Sequence, residues 1–147
     1  MSSGRLKKSS ILLVDDDETT VEMMETIFLS RNYDVITKLS GEEGLEYIKE
    51  NPPVSVVLSD YKMGAMNGLE FLKQVEVLSP LTKRCLCSGF FDKRIMENKV
   101  EMQEIHGYFI KPVDLKEMLV NVDELIKDVA ENRVVVPSKK QSERLDG

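Results

Sequence analysis

Residues 57–68 read VLSDYKMGAMNG. Val57 and Leu58 continue an apolar run that starts at Val54, and Asp60 closes it; the chain then breaks into a loop carrying Lys62, Gly64 and Gly68. A strand that is apolar over its centre is buried on both faces, as in parallel sheets covered by helices. A lone carboxylate at its C-terminal end falls where such sheets bind ligands.

The same pattern recurs on either side. Short apolar runs alternate with amphipathic segments along the chain, which specifies a parallel sheet with helices on both faces. Strands are expected at Ser10 to Val14, Tyr33 to Lys38, Val54 to Ser59, Lys83 to Ser88 and Gly107 to Ile110. Asp17 caps a helix reaching about Arg31, with Val21, Met24, Ile27 and Phe28 at helical spacing. Ser40 with Glu43, and Asn67 with Glu70, have the form of capping boxes for the next two helices, which end before Pro52 and before Pro80. From Asp92 to Glu104, Ile95, Met96, Val100 and Met102 give only a partial stripe. The final helix, capped by Asp114 with Glu117 three residues on, carries a clean one from Leu115 through Met118, Leu119, Val122, Leu125 and Ile126 to Val129. The expected fold class is α/β: a doubly wound, five-stranded parallel sheet of flavodoxin-like (βα)5 type, strand order 2-1-3-4-5. Residues 10–131 form this domain, residues 1–9 a flexible N-terminal segment, and residues 132–147, including Val134 to Val136, a tail or linker stub.

Composition narrows the function classes. The chain has 147 residues, 41% hydrophobic and 31% charged, which suits one domain with a sizeable core. A net charge of −6 disfavours direct nucleic-acid binding and attraction to an anionic membrane surface. No apolar run approaches the ~18 to 20 residues of a membrane span, and MSSGRLKKSS lacks the apolar core of a signal peptide. Cys85 and Cys87 lie two apart, on one face of a strand, where they read as small buried hydrophobes in a reducing, cytoplasmic setting.

The carboxylates carry the chemistry. In a 2-1-3-4-5 sheet the order reverses between the first and third strands, whose C-terminal ends carry Asp15, Asp16 and Asp17 and, opposite, Asp60. Clustered carboxylates repel unless a proton or cation relieves them, and a hard divalent ion such as Mg2+ does so. Capping of the first helix explains one or two of the three consecutive acids. Ser88 and Lys111 end the fourth and fifth strands at the same edge, a hydroxyl and an ammonium suited to hold phosphoryl oxygens on Asp60. His106, the only histidine, is isolated at the mouth of a strand and reads as a loop residue.

At these residues the sequence resembles the receiver domain of bacterial two-component response regulators, over roughly Ser10 to Glu131. By the family pattern, VDDD places an acidic metal-binding pair at Asp15 and Asp16, SDYKM the phosphoacceptor at Asp60, CSG the hydroxyl at Ser88, IKP the lysine at Lys111, and an aromatic switch at Tyr108. The resemblance implies that Asp60 takes a phosphoryl group from a phosphohistidine of a sensor histidine kinase or phosphotransfer protein. Mg2+ would be held by Asp16, Asp60 and the carbonyl of Lys62, with Asp15 assisting through water. Ser88 and Lys111 would bind phosphoryl oxygens, the Lys111–Pro112 bond would be cis, and Tyr108 would swing inward when Ser88 is drawn to the phosphoryl group. The face of the fourth helix, fifth strand and fifth helix would then change its affinity for a downstream output protein or domain; a phosphorylation-dependent homodimer is a further assembly of this kind.

Such a protein catalyses at most its own phosphorylation and slow dephosphorylation. Lys62 and Phe90 occupy the two positions that tune acyl-phosphate hydrolysis in the family, and a long cation and a bulky aromatic there imply slow loss. Gly64 stands where the family usually has proline. Competing readings are a degenerate receiver acting without phosphorylation, a flavodoxin-like cofactor binder, whose phosphate loop DDDETT would not serve, and an aspartyl-phosphate phosphatase, which would need an acid at Lys62.

Overall fold

Alternation of side chains along each strand divides the interior into two cores, one on either face of the sheet. The computed structural model describes residues 8–131, with side chains as far as residue 127. The elements are β1 (Ser10–Val14), α1 (Glu18–Ser30), β2 (Asp34–Lys38), α2 (Gly41–Glu50), β3 (Val56–Asp60), α3 (Gly68–Leu78), β4 (Lys83–Ser88), α4 (Lys93–Glu101), β5 (Gly107–Ile110) and α5 (Leu115–Glu131). All strand pairs are parallel, in the order β2-β1-β3-β4-β5. Of the expected N-terminal segment only Lys8 and Ser9 are described, and the expected tail with Val134 to Val136 lies outside the described residues. Among the described residues no helix is long and apolar enough to cross a membrane.

On one face Ile11, Leu13, Val56, Leu58, Cys85, Cys87 and Phe109 pack against Met24 and Phe28 of α1 and Met118, Val122 and Leu125 of α5. On the other, Leu12, Val14, Val57, Leu86 and Tyr108 meet Leu45 of α2, Phe71, Leu72 and Val75 of α3, and Met96 and Val100 of α4. The period of two on the strands and of 3.6 on the helices brings these sets together. Cys85 and Cys87 are free, buried and on one face, as expected. Burial pushes both thiols up to about 12, which keeps them protonated and inert.

Two strands begin later than expected. Tyr33 precedes β2 because its backbone N–H donates to Phe28 at the end of α1, its ring meets Phe28 edge-on at 5.1 Å, and its hydroxyl donates to Asp123 of α5. Val54 and Ser55 precede β3, where the Ser10 backbone N–H donates to the Ser55 hydroxyl oxygen and the Ser55 N–H to that of Ser10. The two expected capping boxes also differ. Asn67 and Glu70 form both reciprocal bonds, whereas Ser40 accepts from the Glu43 amide and donates its hydroxyl to the Glu43 carboxylate. A hydroxyl can satisfy that carboxylate itself, so nothing draws it back to the backbone; the Oδ1 of an asparagine cannot donate. In α4 only Met96 and Val100 of the partial stripe are buried, while Ile95 and Met102 are 51% and 65% exposed.

His106 is a structural residue rather than a simple loop residue. Its N–H donates to the Arg84 carbonyl at 2.7 Å and its Nδ1 accepts the Arg84 amide at 2.9 Å, so the imidazole extends the β4–β5 ladder by one bond. Only the neutral ring can accept there. Burial, then the charges of Arg84 and Lys83, lower its pKa from 6.5 to about 3. Gly68 is a second positioning residue. It starts α3 with its N–H on the Tyr61 carbonyl at 2.7 Å, and a Cβ there would stand 2.2 Å from the Asp60 carbonyl oxygen.

Both observations give measurable consequences. Stability linked to neutral His106 is complete above pH 6.5 and is lost as the pH falls toward 3, with a limiting slope of about 1.4 kcal/mol per pH unit. Urea unfolding between pH 6.5 and 4 is expected to lose stability more steeply in the wild type than in His106→Asn, and parallel curves would refute the role. Gly68→Ala is expected to cost about 2 kcal/mol or more through overpacking against backbone. Gly89→Ala, with nothing within 4 Å of the new Cβ, should change stability by less than about 0.5 kcal/mol; equal costs at the two positions would count against this reading.

Candidate functional site

The C-terminal edge of the sheet gathers the titratable side chains. Asp15 and Asp16 directly follow β1, Asp60 and Ser88 are the last residues of β3 and β4, and Lys111 directly follows β5. Carboxylate oxygens of Asp15, Asp16 and Asp60 lie within 4.8 Å of one another. Asp15 and Asp60 are nearly buried, at 4% and 9% exposure, and Asp16 faces solvent. Lys111 Nζ stands 3.1 Å from Asp15 Oδ2 and 3.1 Å from Asp60 Oδ1, joining the ends of three strands. The Lys111–Pro112 peptide is cis, as expected.

Electrostatics follow from this crowding. Burial raises the pKa of the Asp60 carboxyl, the Asp15 charge adds to that, and Lys111 opposes both. Burial alone would depress the Lys111 ammonium, but hydrogen bonds to Asp15 and Asp60, together with their charges, hold it above its usual range. Three carboxylates thus face one ammonium. Their oxygens are hard donors, and a divalent cation would bring the cluster to neutrality, so the donor set fits a magnesium-sized ion.

Asp17 separates from its neighbours. Its Oδ1 accepts the Thr19 amide and its Oδ2 the Thr20 hydroxyl, so both oxygens cap α1 and it is not one of the clustered carboxylates. The Thr20 hydroxyl is the main cause that holds its carboxyl below the usual range. The three consecutive acids divide into two site residues and one helix cap.

Ser88 lies at the edge but outside the cluster, and Tyr108 lies within β5, short of the edge. The Ser88 hydroxyl donates to the Phe90 carbonyl at 3.2 Å and accepts the Phe90 amide at 3.3 Å, a local turn. Tyr108 is fully buried, its ring edge-on to Phe91 at 5.4 Å. The aromatic therefore lies inward while Ser88 is still bonded to its own loop, whereas the expectation had its inward swing follow Ser88. Phe91 had no signal in the sequence, because its role depends on a loop conformation. Phe90 is 84% exposed and the Lys62 side chain stands in solvent. Gly64 has φ +23°, a conformation closed to proline, whose ring holds φ near −65°. This loop excludes the residue usual at that position and uses glycine instead.

Comparison with known proteins agrees with this geometry. The family profile described as the response regulator receiver domain matches residues 11–123. The hydrogenase transcriptional regulatory protein HoxA of Cupriavidus necator is 31% identical over 106 residues, covering 72% of this chain and 22% of that protein. The transcriptional regulatory protein ZraR of Salmonella typhimurium is 26% identical over 133 residues, covering 89% of this chain and 29% of its own length. The chain thus spans less than a third of either relative. Among solved structures, a CheY-like response regulator receiver domain protein of Methanospirillum hungatei superposes with a TM-score of 0.78 at 25% identity, covering 86% of this chain and 99% of that one. A structure titled as an adenylate cyclase of Rhodopirellula baltica gives 0.78 at 27% identity, covering 94% of this chain and 98% of that one. With the profile matched across both cores and every strand end that bears a site residue, the chain belongs to the response regulator receiver domain family.

Proposed function

We propose that Asp60 accepts a phosphoryl group from a phosphohistidine of a sensor kinase or phosphotransfer protein, and that the acyl phosphate alters partner binding at the face of α4, β5 and α5. The observation that carries this reading is the nearly buried Asp60 carboxylate held 3.1 Å from Lys111 within an acidic cluster. A carboxylate oxygen of Asp60 attacks phosphorus, the phosphorus–nitrogen bond breaks, and the imidazole leaves with the electron pair and takes up a proton. Asp15, Asp16 and Asp60, with the Lys62 carbonyl, are the groups that would hold a magnesium ion, whose charge when bound offsets that of the phosphoryl oxygens.

The chain's own residues do the rest. Lys111 exchanges its contact with Asp60 for a phosphoryl oxygen at little cost, since it remains paired with Asp15. Ser88 reaches a second oxygen by releasing Phe90. Its two bonds there are long, and a net hydrogen bond contributes only about 0.5–1.5 kcal/mol. A charge-assisted bond to phosphate outweighs that, so the loop changes conformation and the population of partner-binding states shifts with it. Relatives named as transcriptional regulatory proteins support an output in a separate domain or partner; a cytoplasmic setting, and homodimerisation as one form of the output, belong to the same proposal.

Acetyl phosphate with magnesium is expected to add the mass of one phosphoryl group to the intact protein, with no gain in Asp60→Ala and at least roughly tenfold slower gain in Lys111→Ala, a rise of about 1.4 kcal/mol in the barrier. A gain that persists in Asp60→Ala would place the acceptor elsewhere. Once phosphorylated, the protein should lose the group slowly, because the Lys62 and Phe90 side chains flank the approach of water. Decay followed by intact mass should be several-fold faster in Lys62→Asn and in Phe90→Ala; no acceleration in either removes both side chains from this role.

A further inference from the structure

Arg84, the second residue of β4, is only 2% exposed, its guanidinium lying between Glu76 of α3 and the turn that follows α4. A buried guanidinium is costly unless its donors are satisfied. Here Nη2 donates to the Gln103 carbonyl at 2.7 Å, Nε to the Glu104 carbonyl at 3.2 Å and Nη1 to the Thr82 carbonyl at 3.5 Å, with Glu76 of α3 3.6 Å away. Gln103 and Glu104 are the residues by which the chain leaves α4. Gln103 takes a left-handed conformation, φ +62°, with its N–H on the Val100 carbonyl, and the Glu104 N–H returns to the Lys99 carbonyl. This reversal turns the next carbonyls out of the helix, and Arg84 collects them. Two residues on, His106 exchanges two bonds with the Arg84 backbone.

The other end of α4 is held differently. Asp92 caps it with bonds to its own Arg94 and Ile95 amides, and the helix buries only Met96 and Val100. The loop before it runs from Ser88 through the open Gly89 and the exposed Phe90.

We propose that Arg84 anchors the C-terminal end of α4, so that a change in the Ser88 loop is expressed as a pivot of the helix about that end. The pivot rests on the phosphorylation reading for its trigger; the anchor does not. At 1.5 Å per residue the helix is roughly 13 Å long, so a tilt of about 10° moves its N-terminal end by roughly 2 Å and its anchored end hardly at all. The exposed Phe90 and Ile95 would travel, and the exposed Met102 would stay.

Hydrogen exchange read by mass spectrometry on the full chain tests both parts. Without phosphorylation, Arg84→Met, which keeps apolar volume but loses the donors, is expected to speed exchange at residues 102–105 at least about tenfold and leave residues 10–14 unchanged. Unchanged exchange at 102–105 would remove the anchor. After acetyl phosphate and magnesium, wild-type exchange should change at residues 89–96 and not at 101–105; equal response at both ends would overturn the pivot. Arg84→Lys should resemble Arg84→Met, because one ammonium cannot reproduce the guanidinium fork. Should both variants fail to fold, the wild-type comparison of the two ends decides. A protein that gains no mass sinks the phosphorylation reading and the pivot with it, while the unphosphorylated comparison still decides the anchor.

Discussion

The ammonium of Lys111 is the constraint on which the site depends. It reaches across the sheet edge from the end of β5 to Asp15 after β1 and Asp60 at the end of β3, 3.1 Å from each. Like charges at this separation and burial would otherwise neutralise one another by taking up protons. Burial and the Asp15 charge raise the Asp60 pKa and Lys111 opposes both, so the lysine favours the ionised carboxylates, while one ammonium against three carboxylates leaves the cluster uncompensated. Such a state can accept a further cation and then an anionic group without rebuilding the fold.

The two ends of the sheet use buried polar groups to opposite effect. At the C-terminal edge the charges outnumber their partners and leave capacity for a ligand. At the N-terminal edge Arg84, His106, Thr82 and Ser79 are matched to one another and to backbone carbonyls, and they hold loops in place. The same low dielectric makes the unmatched charges of the first arrangement costly and the matched bonds of the second rigid. α4 runs between these edges, with one end toward the carboxylate side and the other tied to the rigid one.

Much of this could be read before any coordinates. Strand identity followed from apolar runs, and three of the five strands begin and end at the expected residues because turn and cap residues flank them. The positions of Asp15, Asp16, Asp60, Ser88 and Lys111 at one edge followed from strand order alone. Contacts that depend on tertiary approach could not be read. Gly68 is a tight position only because α3 meets the Asp60 backbone, and His106 is a ladder residue only because its ring folds back on Arg84. Asp17 could be told from Asp15 and Asp16 only once its Thr19 and Thr20 partners were seen. The inward Tyr108 and the positive φ of Gly64 are conformational facts, and residue type states neither.

The burial of Cys87 has a consequence for chemical compatibility. Cys87 is the register partner of Asp60 in the β3–β4 ladder. An acyl phosphate is an activated acyl donor, and a neighbouring thiolate would compete with water and with the partner protein for it, ending in a thioester. With its pKa pushed up to about 12 by burial, the thiol is ionised in only roughly one molecule in 100,000 at neutral pH. The core would thus shield the proposed acyl phosphate from a nucleophile one strand away, and a cysteine can sit beside the proposed phosphoacceptor without consuming its signal.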